Sequence, residues 1–121
     1  MNEIKELVDR YIAIWNETDA GSRRALIART WAEDARYVDP LMQGDGHDGL
    51  DSMIAGVQQR FPDFRFSLLG KADAHGCNLR FSWALGPQGG EAVVKGTDFA
   101  TLSGDGRLHR VTGFLDQAPA H

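Results

Sequence analysis

The chain has little of what would build a disulfide framework, a membrane span or a nucleic-acid surface. It holds a single cysteine, Cys77, in 121 residues, so no disulfide can form within it and no cysteine-based metal site can be built. Cys77 falls in an apolar alternation and is expected to be a small buried hydrophobe. No apolar run approaches the length of a membrane-spanning helix. The opening MNEIKELVDR carries acidic residues where a signal peptide would be basic and then apolar, so a cytoplasmic protein is expected. Positive charge is short: 13 Lys and Arg stand against 17 Asp and Glu, a formal charge of −4. No basic cluster interleaved with aromatics offsets that balance, which argues against nucleic acid and anionic membrane surfaces as partners. Phosphate-binding loops, dinucleotide fingerprints and nucleophile elbows are missing, because no glycines have the required spacing.

What is present fits one globular domain spanning 1–121. A 42% hydrophobic and 25% charged composition is ordinary for such a domain, and the length suffices to bury a core. Ile4, Leu7, Val8, Tyr11, Ile12 and Trp15 follow helical spacing and predict a first helix over about residues 2–17. Thr18 or Asp19 can cap a second helix carrying Ala25, Leu26, Ile27, Ala28 and Trp31, with Glu33 and Asp34 at its end. Residues 35–39 read as a short strand stopped by Pro40, and 43–48 as a loop rich in Gly and Asp. Asp48 is a candidate cap for a third helix bearing Leu50, Met53, Ile54 and Val57, closed by Phe61-Pro62.

Beyond Pro62 the period changes from helical to alternating. Phe64, Phe66 and Leu68 mark one strand, and Cys77, Leu79, Phe81, Trp83 and Leu85 mark another. Residues 86–90 form a turn. The last two strands are expected over 91–103 and 108–117, joined by the hairpin signal Ser103-Gly104-Asp105-Gly106. Helices first and hairpin-linked strands afterwards predict an α+β domain. Its N-terminal helices would pack on one face of a curved, largely antiparallel sheet and enclose a pocket.

Three polar residues interrupt this pattern. The even positions of 91–103 are Ala92, Val94, Gly96, Asp98, Ala100 and Leu102, so Asp98 is the one carboxylate on an apolar face. A buried, unpaired carboxylate costs several kcal/mol, so Asp98 raises its pKa, finds donors, or both, either as a structural residue bonded to backbone groups or a loop or as a functional one. Tyr11 lies on the apolar stripe of the first helix, as an amphipathic core residue or as a hydroxyl aimed at the layer that Asp98 faces. Asp39 alternates with Tyr37 and Ala35 and precedes a proline; it is either a turn-former or a carboxylate aimed inward. Asp45, His47 and Asp48 match no metal motif, and a glycine-rich loop with a helix cap accounts for them. His75, His109 and His121 stand alone and are expected in solvent. No metal and no cofactor are expected.

The order of these features resembles the nuclear transport factor 2-like superfamily, in particular its SnoaL-like and ketosteroid isomerase-like branches. The residues that carry the resemblance are Arg10-Tyr11, Trp31-Ala32-Glu33-Asp34-Ala35 leading to Val38-Asp39-Pro40, and the helix beginning near Gly49. Gly96-Thr97-Asp98-Phe99, Gly104-Asp105-Gly106-Arg107-Leu108 and Phe114-Leu115-Asp116 complete it. Ketosteroid isomerases use a first-helix tyrosine, an aspartate just before a proline and an aspartic acid on a late strand. Those positions resemble Tyr11, Asp39 and Asp98. The resemblance implies a cone-like fold and proton transfer next to a carbonyl. Asp39 would be the base, with Tyr11 and a neutral Asp98 as donors to the enolate oxygen. It also implies a small hydrophobic ligand, steroid-like or polyketide-like, lined by Trp15, Trp31, Tyr37, Met53, Val57, Phe81 and Trp83. The alternative is a non-catalytic binding or dimerisation module of the same fold, since this superfamily hosts both. A homodimer through the sheet face is expected, because Val93, Phe99 and Phe114 put more apolar area there than a solvated face needs.

Overall fold

The computed structural model describes residues 2–118. Two helices come first, α1 (Asn2–Asn16) and α2 (Ala20–Thr30), and a third, α3 (Gly46–Arg60), follows two strands. The strands are β1 (Trp31–Val38), β2 (Gln43–Asp45), β3 (Phe64–His75), β4 (Asn78–Pro87), β5 (Val94–Leu102) and β6 (Leu108–Gln117). They form one sheet in the order β2-β1-β6-β5-β4-β3. Every pair is antiparallel except β1 with β6, which run parallel. Register shifts in β1–β6, β3–β4 and β5–β6 are irregularities of the kind that bend a sheet. The helices lie on one face, as the switch from helical to alternating period predicts.

Local chemistry sets the boundaries, and several differ from the sequence reading. Asp19 caps α2, its carboxylate accepting from the Ser22 N–H at 2.9 Å. That helix stops at Thr30, because Trp31 is already extended, with φ −110° and ψ 140°. Trp31 is nonetheless fully buried, so its apolar position continues the helical spacing while its backbone starts β1. Glu33 and Asp34 therefore sit in β1 rather than at a helix end, and both are exposed. Residues 43–45, expected as loop, pair with β1 as β2. Helix α3 begins two residues before Asp48, at Gly46 with φ +69°, so Asp48 does not cap it. Asp48 instead accepts from Arg24 at 2.8 Å. Phe61 ends α3 as expected.

The alternation in β5 holds. Val94, Gly96, Asp98 and Ala100 are buried against the helices, whereas Phe99 is 43% exposed on the outer face. Val93 lies ahead of the strand and packs against the core, so it does not belong to that outer face. Cys77 is exposed rather than buried. It sits in the turn between β3 and β4, where Gly76 takes φ +58°, one residue before the alternation starts. His109 is not isolated: its Nε2 lies 3.3 Å from the Asp34 carboxylate. His75 is exposed, and His121 lies outside the described residues.

A buried ion pair joins the helices. Arg23 Nε donates to Asp51 at 2.6 Å, and its Nη1 reaches the Glu17 carbonyl and Gln58. Both charges are nearly excluded from solvent, which holds only because the guanidinium finds several acceptors. Arg107, in the β5–β6 hairpin, donates to the carbonyl of Ala28 in the last turn of α2 and to that of Trp31 at the start of β1.

Candidate functional site

The site is built where a side chain from the buried stripe of α1 reaches β5. Tyr11, on the buried stripe of α1, donates to Asp98 Oδ2 at 2.5 Å. Trp83, on β4, donates its indole N–H to Asp98 Oδ1 at 3.0 Å. Tyr11 is 2% exposed and Asp98 1%, so this carboxylate has left water and found two donors in exchange. Burial nevertheless wins. It pushes Asp98 up to about 6, the donors from Tyr11 and Trp83 pull the other way, and the Asp39 charge adds a smaller push upward. Burial and then the Asp98 charge raise the Tyr11 hydroxyl well above its ordinary value, so it stays a proton donor.

The second carboxylate stands at the end of β1. Asp39 follows Val38 directly and is half-buried. Its Oδ1 accepts from the backbone N–H groups of Leu41 and Met42, at 2.8 and 3.0 Å, and its own N–H donates to the Met42 carbonyl at 2.9 Å. This is the turn that an Asp before proline forms. The other oxygen, Oδ2, accepts from the Tyr37 hydroxyl at 2.7 Å. Asp39 is therefore both turn-former and inward-facing carboxylate. Tyr37 is buried, and its hydroxyl is raised above its ordinary value, first by burial and then by the charges of Asp98 and Asp39.

A glycine joins the two halves. Gly113 in β6 lies opposite Asp98 in the β5–β6 register. A Cβ there would meet Asp98 Oδ1 and Tyr37 Oη at 2.9 Å each, and Asp39 Cβ at 3.1 Å. Asp98, Tyr37 and Asp39 thus converge on one patch of bare backbone. Gly96 plays the matching part for Trp83: the two are cross-strand partners, and a Cβ on Gly96 would overlap the indole that reaches Asp98. Sequence reasoning does not single out either glycine. The available signal was a glycine at an inward position of a strand, which often marks close approach by another group.

Aromatic rings fill the space around this network. Trp15 packs on Tyr11, Tyr37 and Phe66, with ring centres 6.2, 5.6 and 5.2 Å away. Trp31 and Phe81 meet Tyr11 at 5.7 and 4.9 Å. Of the expected lining residues, Trp15, Trp31, Tyr37, Phe81 and Trp83 are brought together here, while Met53 and Val57 are half-buried at the margin of the core on α3. Two surface hollows lie elsewhere. One is beside the 86–90 turn with Arg65 and Ser67, and the other lies between the start of α1 and the β5–β6 hairpin. Among the described residues, no group of three or more His, Cys, Asp or Glu could hold a metal ion. His47, one of the loop residues considered for that role, pairs instead with the Trp31 carbonyl at 2.9 Å. No helix among the described residues is long and apolar enough to cross a membrane.

This combination of helices on an open curved sheet, with an inward Tyr–Asp pair, defines a class of protein, and comparison with known chains identifies it. Residues 8–111 match the family model of the SnoaL-like domain, and the chain belongs to that family. A solved SnoaL-like family protein from Agrobacterium tumefaciens strain C58, provisionally designated an isomerase, is 46% identical. The match covers 96% of this chain and 99% of that one, with a TM-score of 0.91. A protein from Jannaschia sp. CCS1, provisionally designated a SnoaL-like polyketide cyclase, shares the fold at 18% identity and TM-score 0.74, over 95% of this chain and 86% of that one. A de novo designed protein with a curved β-sheet does so at 15% identity and TM-score 0.72, over 95% and 86%. No curated protein matches the chain.

Proposed function

We propose that this protein is an acid/base enzyme of isomerase or cyclase type, moving a proton next to the carbonyl of a small hydrophobic ketone. Steroid-like and polyketide-like molecules are the ligand classes. The observation that carries the reading is the convergence of Asp98, Tyr37 and Asp39 on the bare backbone of Gly113, with Tyr37 donating to Asp39. Their environments differ: Asp98 is buried among rings and pushed up to about 6, whereas Asp39 is half-buried at a strand end. Titratable groups held in contrasting surroundings are how one site supplies both an acid and a base.

In this mechanism Asp39 Oδ2 takes a proton from the carbon next to the carbonyl. The electron pair left behind forms the carbon–carbon double bond, and negative charge moves to the carbonyl oxygen. Tyr11 and the protonated form of Asp98 donate to that oxygen as its charge grows. Asp39 then returns the proton to a different carbon. A ring-sized ligand has to part the rings of Trp15, Tyr37 and Phe66, and the half-buried Asp39 end of the network is the side open to approach.

A second reading, a non-catalytic binding module, is favoured by one observation. Both oxygens of Asp98 and both of Asp39 already have protein donors, so the network is satisfied with nothing bound. Exchange of solvent deuterium into enolisable ketones, followed by NMR, separates the two. Asp39→Asn is expected to slow exchange on every active ketone by about 100-fold or more. Equal exchange by variant and parent removes Asp39 as the base, and binding without any exchange establishes the module. A homodimer through the outer sheet face and a cytoplasmic setting belong to the same proposal. Exposed Phe99 and Phe114 support the first, and an exposed free thiol fits the second.

A further inference from the structure

The indole N–H of Trp15 is buried and has no hydrogen-bond partner. An unmet buried donor is expensive, and native structures keep few of them without a reason such as a site awaiting a ligand. Trp15 is 5% exposed, and its ring lies between the two hydroxyl-bearing rings of the network, with centres 6.2 Å from Tyr11 and 5.6 Å from Tyr37. The Trp15 indole also acts on the Tyr11 hydroxyl, working against the burial that raises it. Trp83 differs, because its N–H is already committed to Asp98. Trp31 also has an unpartnered N–H, but of the two tyrosines its ring packs on Tyr11 alone.

We infer that the indole N–H of Trp15 is a third donor to the ligand's carbonyl or enol oxygen, beside Tyr11 and Asp98. The inference rests on the proposed acid/base reading and adds a contact to it. The ligand it selects is planar and apolar, with one acceptor oxygen at its edge. The rings of Trp15, Tyr37 and Phe66 take its faces, while the Trp15 N–H and the Tyr11 hydroxyl take the oxygen. Because the N–H is unpaired beforehand, a bound oxygen gains this bond without breaking another within the protein. Tyr11, by contrast, has to share a hydrogen already given to Asp98.

The probe is 2-naphthol, a planar stand-in for an enol, added to protein carrying 15N-labelled tryptophan. The three tryptophans give three indole N–H resonances, and Trp15→Phe identifies the one in question. In the free protein the Trp15 resonance is expected upfield of that of Trp83, as an unbonded N–H should be, and 2-naphthol is expected to move it downfield. Trp15→Phe, and replacement of Trp15 by the isosteric benzothienylalanine, are each expected to weaken 2-naphthol binding by about 10-fold, the worth of one net hydrogen bond. Unaltered affinity in the isosteric variant, or a Trp15 resonance that stays in place at saturation, overturns the inference. Should Trp15→Phe fail to fold, the isosteric variant and the resonance of the parent still decide. If Tyr11→Phe weakens binding and the Trp15 variants do not, only this inference falls. If the parent does not bind 2-naphthol at millimolar concentration, the site reading on which it rests falls with it.

Discussion

Tyr11 and Asp98 stand 87 positions apart in the chain and share a 2.5 Å hydrogen bond inside the core. That contact ties α1 to β5, and it gives a carboxylate on an apolar face its reason to be there. Trp83 supplies the other donor across the β4–β5 pair, and Gly96 opens the space for its indole.

Tyr11→Phe leaves Asp98 Oδ2 without its donor in a place water does not reach. An abandoned buried acceptor costs about 1–3 kcal/mol, and urea denaturation at pH 7 is expected to show a loss of that size. The loss should be smaller at pH 5, where Asp98 is largely protonated and carries no charge to satisfy. A variant as stable as the parent at both pH values would mean that Tyr11 and Asp98 are not energetically coupled.

The pH dependence of stability has a definite sign. Asp98 rises from an ordinary 3.8 to about 6 on folding, so between those values the folded state holds a proton that the unfolded state has lost. Its contribution favours the fold most at low pH and declines as pH climbs from about 4 to 6, opposite to a salt-bridged carboxylate. The gap corresponds to about 3 kcal/mol. Subtracting the curve of Asp98→Asn from that of the parent isolates this slope from other titrating groups. A flat difference, or one that rises with pH, would show that the carboxylate is ionised at little cost. Under the acid/base reading, activity should also fall above about pH 6, as the donating form of Asp98 is lost.

Gly113→Ala tests whether the bare backbone is what lets the two carboxylates meet. The added methyl would press on Asp98 Oδ1, Tyr37 Oη and Asp39 Cβ together. Overpacking of this kind typically costs about 1–3 kcal/mol, and proton exchange on ketones is expected to drop with it. Gly104→Ala is the control, since a Cβ there meets nothing within 4 Å; its stability is expected to stay within about 0.5 kcal/mol of the parent. Equal behaviour of the two variants would remove Gly113 from the site.

The inward direction of Asp98 was legible because period-two alternation in a strand leaves only two choices of face, and its neighbours were apolar. Tyr11 was legible for the analogous reason on a helix. Partners were not. Nothing in the spacing of Trp83 or Tyr37 says that each reaches a carboxylate, because cross-strand register and ring orientation are settled by tertiary packing. The start of β1 was hidden too: Trp31 remains an inward apolar residue whether it ends a helix or opens a strand, so periodicity could not locate the change of backbone. Cys77 departs from the apolar alternation because it belongs to the turn that Gly76 makes, one residue before β4 begins.

The outer face of the sheet carries the remaining expectation, a homodimer. Phe99 and Phe114 stand 43% and 57% exposed on adjacent strands, opposite Thr112 and Thr97 in the β5–β6 register. Two neighbouring aromatic rings on an otherwise threonine-rich face are a costly surface for a monomer, and a second copy laid across the same face would cover both sets. Light scattering after gel filtration at micromolar concentration is expected to give twice the 13.3 kDa chain mass. The double variant Phe99→Asp, Phe114→Asp should run as a monomer with its thermal unfolding still cooperative, since neither ring belongs to the core. A monomeric parent would refute the dimer, and a dimeric double variant would move the interface to another face.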